Sequence, residues 1–308
     1  MGTPDAQEPR PRSGGVPRVV VVTRPSEYES LLWRHGTHEQ ARFFLAGRGQ
    51  SIDGASERHQ RQGAALAVVS RAIPAKWRRS QVTRADLSRF VFEDGDVVVT
   101  VGQDGLVANV ARYAGASPVV GINPDPARYD GVLARHAPER LGALLPRVVG
   151  GDCAVESRTR CEVRTDDGQR LTALNELFLG HRTHQSARYR LRLDAREERQ
   201  SSSGVIVATG TGATGWARSI ARERAAEGEL PAPGAPSLFF FVREAFPSVA
   251  TGTTLTAGRL GAAPLCLISE MDEGGAIFGD GVEDDRLEWG YGVCATIAAA
   301  PEALRLVI

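Results

Sequence analysis

Asp96-Val-Val-Val-Thr-Val-Gly-Gln-Asp-Gly105 is the stretch on which the fold turns. Its first half is a short apolar run without alternation, the pattern of a strand buried on both faces of a parallel sheet. A glycine-flanked turn follows at once, and residues 105–114 read as a helix. In an open α/β sheet, ligands bind where strands turn into helices at the carboxyl edge, and the first N–H groups of such a helix are free to meet an anion. Gly102 and Gly105 let a phosphate approach the backbone. Asp104, lying between them, has two readings: it caps the helix, or it is a carboxylate that takes a proton or faces a metal.

Working outward, Arg18-Val-Val-Val-Val-Thr23 has the same buried-strand pattern and opens the domain. A mixed helical stretch reaches Gly47. Residues 64–69 then read as a second strand, 84–90 as a helix and 118–122 as a further strand ending in Asn123-Pro-Asp-Pro126. Strands alternating with helices predict a Rossmann-like α/β domain over residues 18–145, in three layers. Residues 1–17, rich in Pro, Gly, Arg and acids, read as a disordered lead-in without the apolar core of a signal peptide.

The texture changes near Leu145. Short alternating segments with turns, such as Asp167-Gly168 between residues 160–164 and 169–178, predict a β-rich, sandwich-like second domain over residues 146–308. Arg188, Arg190 and Arg192 alternate with Tyr189, Leu191 and Leu193, which puts the arginines on one solvated strand face. Further strands are expected at 237–242, 265–269, 276–278 and 293–298. The apolar tail 304–308 is expected to fold back into a core, including that of the first domain.

Composition narrows the chemistry. Of the 37 Lys and Arg residues in 308, only Lys76 is a lysine, and it stands in Ile-Pro-Ala-Lys-Trp, away from any glycine run. A Walker-type phosphate loop is therefore excluded. The 37 acidic residues cancel the basic ones, so there is no global field for nucleic acid. No apolar run reaches the roughly 18 residues of a membrane helix. The expected setting is the cytoplasm and the expected partner a small molecule. Cys153, Cys161, Cys266 and Cys294 lack metal-type spacing and read as reduced thiols.

Three other segments carry polar groups in apolar surroundings. In Ala173-Leu-Asn-Glu-Leu-Phe-Leu179, a continuous strand would face Asn175 and Glu176 oppositely, so one needs a buried partner or the strand bulges there. In Gly204-Val-Ile-Val-Ala-Thr-Gly-Thr-Gly-Ala-Thr-Gly-Trp216, Gly210, Gly212 and Gly215 form a G-x-G-x-x-G after a strand, so a Rossmann dehydrogenase loop has to be considered. The hydroxyls of Thr209, Thr211 and Thr214 suit ribose or phosphate in either case. Phe278-Gly-Asp-Gly281 reads as a hairpin turn.

In this order and spacing, the segments resemble the NAD kinase family, most closely its mitochondrial-type branch. Gly102-Gln-Asp-Gly105 stands where that family has Gly-Gly-Asp-Gly, and Gly121-Ile-Asn-Pro-Asp-Pro126 is similar to its Gly-x-Asn-Thr-Asp-Pro. Leu174-Asn-Glu176 matches its Asn-Glu motif, and Thr209-Gly-Thr-Gly212 with Trp216 matches the glycine loop of the branch. The resemblance implies transfer of the γ-phosphoryl of ATP, with Mg²⁺, to the 2′-hydroxyl of the adenosine ribose of NAD or NADH. It also implies a homodimer or higher homo-oligomer. Asp104 would be the general base. Gly105, Asn175, Glu176, Thr211, Thr214 and Trp216 would hold the dinucleotide, and Gly102, Gly105, Asn123 and Thr209 would approach the phosphates. Gln103 and Leu106 depart from the family pattern. A Cβ at 103 would be strained if the turn needs positive φ there. The departures leave open a kinase acting on another nucleoside or nucleotide, or a silent NAD(P)-binding regulator.

Overall fold

The computed structural model describes residues 16–308. The predicted lead-in, 1–17, therefore lies outside the described residues except for Val16 and Pro17, whose carbonyls accept hydrogen bonds from Arg78. The first part of the chain runs β1 (Arg18–Thr23), α1 (Glu27–His35), α2 (His38–Ala46), α3 (Asp53–Ala72), β2 (Arg78–Thr83), β3 (Val97–Val101), α4 (Asp104–Ala111), β4 (Pro118–Ile122) and α5 (Leu141–Gly150). β5 (Val155–Arg158) and, from the far end of the chain, β18 (Leu304–Val307) complete a six-stranded sheet in the order β2-β1-β3-β4-β18-β5. All its neighbouring pairs are parallel except β18 with β5.

The wholly buried valines of β1 and β3 divide between the two faces. Val19, Val21, Val97 and Val99 pack on α3 and α5 through Ala65, Val69, Leu141 and Leu145. Val20, Val22 and Val98 pack on α4 through Leu106, Val107 and Val110. The chain leaves β1 toward β2 with α3 on one face, then returns past β1 to β3 and on to β4 with α4 on the other. The direction of winding thus reverses between β1 and β3, which opens a crevice at their carboxyl ends.

Residues 64–69, expected to be a strand, lie within α3. Ala65 and Val69 are buried one helical turn apart, whereas Ala64, Ala67 and Gln62 face solvent or the surface. Short apolar runs do not distinguish a strand from a helix segment, and this one is Ala-rich. The second strand is instead Arg78-Arg-Ser-Gln-Val-Thr83, an edge strand exposed along most of its length. The helix expected at 84–90 is a 3-10 segment, Arg84–Arg89.

The remaining strands are β6 (Cys161–Thr165), β7 (Arg170–Ala173), β8 (Glu176–His181), β9 (Ala187–Leu193), β10 (Arg196–Ser202), β11 (Val205–Ala208), β12 (Leu238–Val242), β13 (Ala257–Leu260), β14 (Leu265–Ser269), β15 (Gly275–Gly279), β16 (Val282–Glu288) and β17 (Cys294–Ala299). They form two antiparallel sheets, β10-β9-β14-β17-β6-β7 and β13-β12-β11-β8-β15-β16. Their inner faces share one core that includes Tyr189, Leu191, Phe240, Ile277, Trp289 and Ile297, which makes a sandwich. On β9 the three arginines face outward, as alternation predicts. The outer face of the second sheet is covered by α6 (Trp216–Glu223) through Ala217, Ile220 and Ala221 against Ile206, Phe239 and Phe241.

The segment 169–178 is not one strand. β7 lies in one sheet of the sandwich and β8 in the other, so Leu174-Asn175 is the corner where the chain changes sheets. The bulge expected there is thus a sheet-to-sheet crossing. The Rossmann reading of Gly210 to Gly215 also fails. β11, which leads into those glycines, is antiparallel to both of its neighbours, β8 and β12, whereas the dinucleotide fingerprint requires a parallel βαβ unit.

Candidate functional site

At the carboxyl edge of the parallel sheet, Gly102 follows β3 and donates its N–H to Ile122 O at 3.0 Å. Gln103 is the N-cap of α4 with φ −80° and ψ 168°, ordinary extended backbone. The turn therefore needs no positive φ at 103, and the strain expected from a Cβ there does not arise. Asp104 is the first residue of α4 and does not cap its own helix. Its Oδ1 accepts the amides of Leu133 and Ala134 at 2.9 and 2.8 Å, and its Oδ2 accepts that of Val132 at 2.9 Å. The carboxylate thereby ties the strand-to-helix turn to the loop after β4 and keeps about one of its four lone-pair sites for another donor. Leu106 is buried and its Cδ2 would lie 3.1 Å from a Cβ at 102, so it packs beneath the turn.

Asn123 is buried beside this turn. Its Oδ1 accepts the Asp125 amide at 3.0 Å and its Nδ2 donates to Tyr129 O at 2.9 Å, which folds residues 123–129 into a compact loop. Asp125, also buried, accepts from Arg61 of α3 at 2.7 Å. A cavity of about 110 Å³ opens between these elements, lined by Arg24, Arg58, Arg61, Gly102, Gln103 and Asp125 among others. It occupies the crevice that the winding of the sheet creates.

The second cluster lies at the corner between the sandwich sheets. Thr209, fully buried, donates its hydroxyl to Leu174 O at 2.5 Å and its amide to Asn175 O at 2.9 Å. The same hydroxyl accepts the amides of Thr211 and Gly212 at 3.0 and 3.2 Å. A Cβ at Gly212 would stand 2.1 Å from Asn175 O, and one at Gly210 1.9 Å from Ala232 O. Backbone-to-backbone packing therefore requires both glycines, Gly212 against the corner and Gly210 against Ala232 and Pro233. Thr214 donates to Thr211 O at 3.1 Å, while the hydroxyl of Thr211 is buried without a hydrogen-bond partner among the described residues. A buried orphan hydroxyl costs about 1–3 kcal/mol unless something pairs with it.

Glu176 and Phe178 share one face of β8, the face opposite the sandwich core. On that side Phe178 stacks on Trp216, with ring centroids 6.0 Å apart and planes at 13°, and lies 4.8 Å from Phe278. Arg243 covers the Trp216 ring at 5.1 Å. Burial pushes the Glu176 carboxyl up to about 7, and the neighbouring negative charge of Asp280 adds to the shift. An aromatic shelf beside such a carboxyl suits a flat base and a hydroxylated ring. Gly105 is exposed, and a Cβ there would meet no atom within 4 Å. The turn at Asp104 and the corner at Asn175 meet through one core, in which Leu106 and Leu174 are both buried.

Among the described residues, no group of three or more His, Cys, Asp or Glu side chains is arranged to hold a metal ion. The oxygens of Asp104 are engaged by amides and Asp125 by Arg61. These donors fit a hard cation carried mainly by ligand phosphates and water, not one caged by protein. No helix among the described residues is long and apolar enough to cross a membrane.

In solved structures the same architecture recurs. The chain superposes on yeast NADH kinase complexed with NADH, with a TM-score of 0.56 at 16% identity over 96% of this chain and 84% of that one. It superposes equally, at 0.56 and 19% identity, on an NAD kinase from Archaeoglobus fulgidus in complex with ATP, over 94% and 93% of the two chains. The fold is that of the NAD kinases. Curated NAD kinases are also similar in sequence. That of Chlorobaculum tepidum is 29% identical over 141 residues, 44% of this chain and 47% of the relative. That of Halorubrum lacusprofundi is 34% identical over 128 residues, 40% and 46%. The matches span about half the length of these curated relatives. No family model matches the chain.

Within this NAD kinase fold, one residue of the site escaped sequence reasoning. Asp280, in the Gly-Asp-Gly turn after β15, is brought to the corner. Its carboxylate accepts the amides of Leu174 and Asn175 at 2.9 and 2.6 Å, and its own amide donates to Glu176 O at 3.0 Å. Burial pushes its carboxyl up to about 6, partly offset by those amides and by Arg112. Arg112, at the end of α4, also donates to Gly279 O and to Asp285. The only local signal was an Asp between two glycines in a turn, and in the structure that Asp takes φ 53°, a conformation Asp adopts more readily than most residues.

Proposed function

We propose that this protein transfers the γ-phosphoryl of ATP to the 2′-hydroxyl of the adenosine ribose of NAD, or NADH, forming NADP(H). The observation that carries this reading is the pairing of two built elements in an NAD kinase fold. One is a carboxylate, Asp104, at the phosphate-type turn of the switch point. The other is the Asn175-Glu176 corner, held rigid by Thr209 and Asp280 beneath an aromatic shelf. Similarity to curated NAD kinases supports it independently.

In this reading the ribose 2′-oxygen attacks the γ-phosphorus in line, the bond from that phosphorus to the β,γ-bridging oxygen breaks, and ADP leaves. Asp104 accepts the hydroxyl proton at its remaining lone-pair site. Asn175 and Glu176 bind ribose hydroxyls. Thr211 supplies its unpaired hydroxyl, and Trp216 with Thr214 lines the base pocket. The first amides of α4, at Asp104 and Gly105, together with Gly102 and Asn123, face phosphate. Mg²⁺ bound to the donor would neutralise phosphate charge. Trp216 and the Thr-Gly-Thr-Gly loop support placement in the mitochondrial-type branch. We further read the protein as a cytoplasmic homo-oligomer, on resemblance alone.

The test is mass-spectrometric product identification after incubation with ATP or polyphosphate, Mg²⁺ and a mixture of NAD, NADH and nucleosides. NADP or NADPH is the expected product. Another phosphorylated product would redirect the reading to a different acceptor, and none at all would leave a binding protein.

A further inference from the structure

In a chain with one lysine, the grip on the donor phosphates must come from arginine, backbone amides or metal. The crevice at the switch point brings three arginines together: Arg24, just after β1, and Arg58 and Arg61, from α3. Their surroundings differ. Arg61 is committed to buried Asp125 at 2.7 Å and so holds the 123–129 loop against α3. Breaking that pair would leave buried Asp125 only the longer contact with Arg128, at 3.7 Å. Arg58 pairs with Glu27, whose side chain is 61% exposed. A solvated pair of this kind is worth at most about 1 kcal/mol and yields readily to a stronger anion. Arg24 is exposed and has no acidic partner among the described residues, and its backbone is tied to α3 by its carbonyl, which accepts from Gln62 Nε2 at 2.8 Å.

We infer that Arg24 and Arg58 are the residues that bind the β- and γ-phosphates of the nucleotide donor, with Arg61 positioning the loop opposite them. The geometry is that of an oligophosphate cradle. Gly102 leaves the backbone bare on one wall, Gln103 lines the cavity beside it, and α4 begins at the next residue, its first amides without partners inside the helix. The guanidinium forks of Arg24 and Arg58 complete it, and each can engage phosphate oxygens bidentately. Arginines from β1 and α3 thus supply charge that the glycine turn cannot. This inference rests on the proposed kinase reading for the identity of the donor, but the cradle itself is a property of the crevice.

Arg24→Gln and Arg58→Gln, with Arg24→Lys as the conservative control, test it in the full chain. Each Gln variant should raise KM for ATP at least tenfold while KM for NAD stays within twofold, and Arg24→Lys should recover part of the loss. Inorganic tripolyphosphate should compete with ATP in the unaltered protein and bind at least tenfold more weakly to both Gln variants by calorimetry. Unchanged KM for ATP and unchanged tripolyphosphate affinity would overturn the inference, as would equal losses for both substrates. If the unaltered protein forms no product but binds tripolyphosphate through Arg24 and Arg58, the cradle stands and the kinase reading falls. Circular dichroism and melting curves matching the unaltered protein identify variants that are folded. If a Gln variant does not fold, the tripolyphosphate affinity of Arg24→Lys and of the other Gln variant decides in its place.

Discussion

The carboxylate of Asp280 accepts the backbone amide of Asn175 at 2.6 Å, across 105 positions of sequence. Together with the bond to Leu174 it satisfies both amides at the point where the chain leaves one sandwich sheet for the other. Without it, two N–H groups would be buried unpaired, at about 1–3 kcal/mol each. Asp280→Asn keeps one acceptor oxygen and sets an NH₂ group against an amide donor. We expect a lower melting temperature and at least a tenfold rise in KM for NAD, with KM for ATP within twofold. Equal changes in both constants would mean that Asp280 supports the fold in general and not the acceptor corner.

Glu176 ties stability to pH. Burial raises its pKa from the ordinary 4.5 to about 7, so the folded chain keeps a proton that the unfolded chain releases above about 4.5. The associated stability is present below the unfolded pKa and is lost as pH rises through about 7, and Asp280, raised to about 6, acts in the same direction. The shift at Glu176 corresponds to about 3 kcal/mol at most. Thermal melts should show the protein less stable at pH 8 than at pH 5, with a shallower slope in Glu176→Gln. Affinity for NAD should move the opposite way, improving as pH rises from 6 to 8, because the ionised carboxylate is the better acceptor for ribose hydroxyls. A Glu176→Gln variant with the pH slopes of the unaltered protein would refute this.

What the sequence disclosed depended on whether local pattern and tertiary context agreed. Uninterrupted valine runs such as Val19 to Val22 and Val97 to Val99 combine burial on both faces with β-branched side chains that favour strands over helices, so the first sheet and its carboxyl-edge turn were legible. β2 was not, because an edge strand exposes one flank to water and therefore carries Arg78 and Arg79. Residues 64–69 are helical against the strand expectation because six apolar residues fit a strand or a helix equally well, and only packing of Ala65 and Val69 on the sheet decides. At the corner, Asn175 and Glu176 drew notice as polar residues in an apolar run. The partner that explains them, Asp280, sat in a common turn motif whose position depends on the pairing of β15 with β8. Local chemistry is readable from spacing; a contact made by sheet pairing is not.

Thr211 carries a buried hydroxyl with no partner among the described residues. Thr211→Val retains the shape and removes that polar atom, so the melting temperature should hold or rise. If the hydroxyl serves the dinucleotide, KM for NAD should increase about fivefold to tenfold, since a site built to bond a hydroxyl suffers when one partner is lost. A variant that is more stable and fully active would show the hydroxyl to be a packing accident.

Asp104→Asn separates chemistry from scaffolding. As a general base, Asp104 should be worth roughly two or more orders of magnitude in kcat, with NAD affinity within about threefold of the unaltered protein. The three amides of residues 132–134 also lose part of their acceptor, so some stability should go with it. Stopped-flow or single-turnover rates on folded variant, set beside calorimetric NAD binding, distinguish the two. Parallel losses in binding and rate would assign Asp104 to the loop it anchors.

Lys76 provides the complementary case. It lies just before β2, whose strand begins at Arg78 and runs parallel to β1 and β3, so it stands at the amino edge of the sheet. The Gly102 turn and Arg24 stand at the carboxyl edge. Strands of five or six residues, at about 3.3 Å per residue, separate the two edges by roughly 15–20 Å, beyond direct contact of a lysine with phosphate at the crevice. Lys76→Ala should therefore leave kcat and both KM values within twofold, in contrast to Arg24→Gln. A tenfold loss in a folded Lys76→Ala variant would place the phosphate donor at the wrong edge of the sheet and remove the arginine cradle with it.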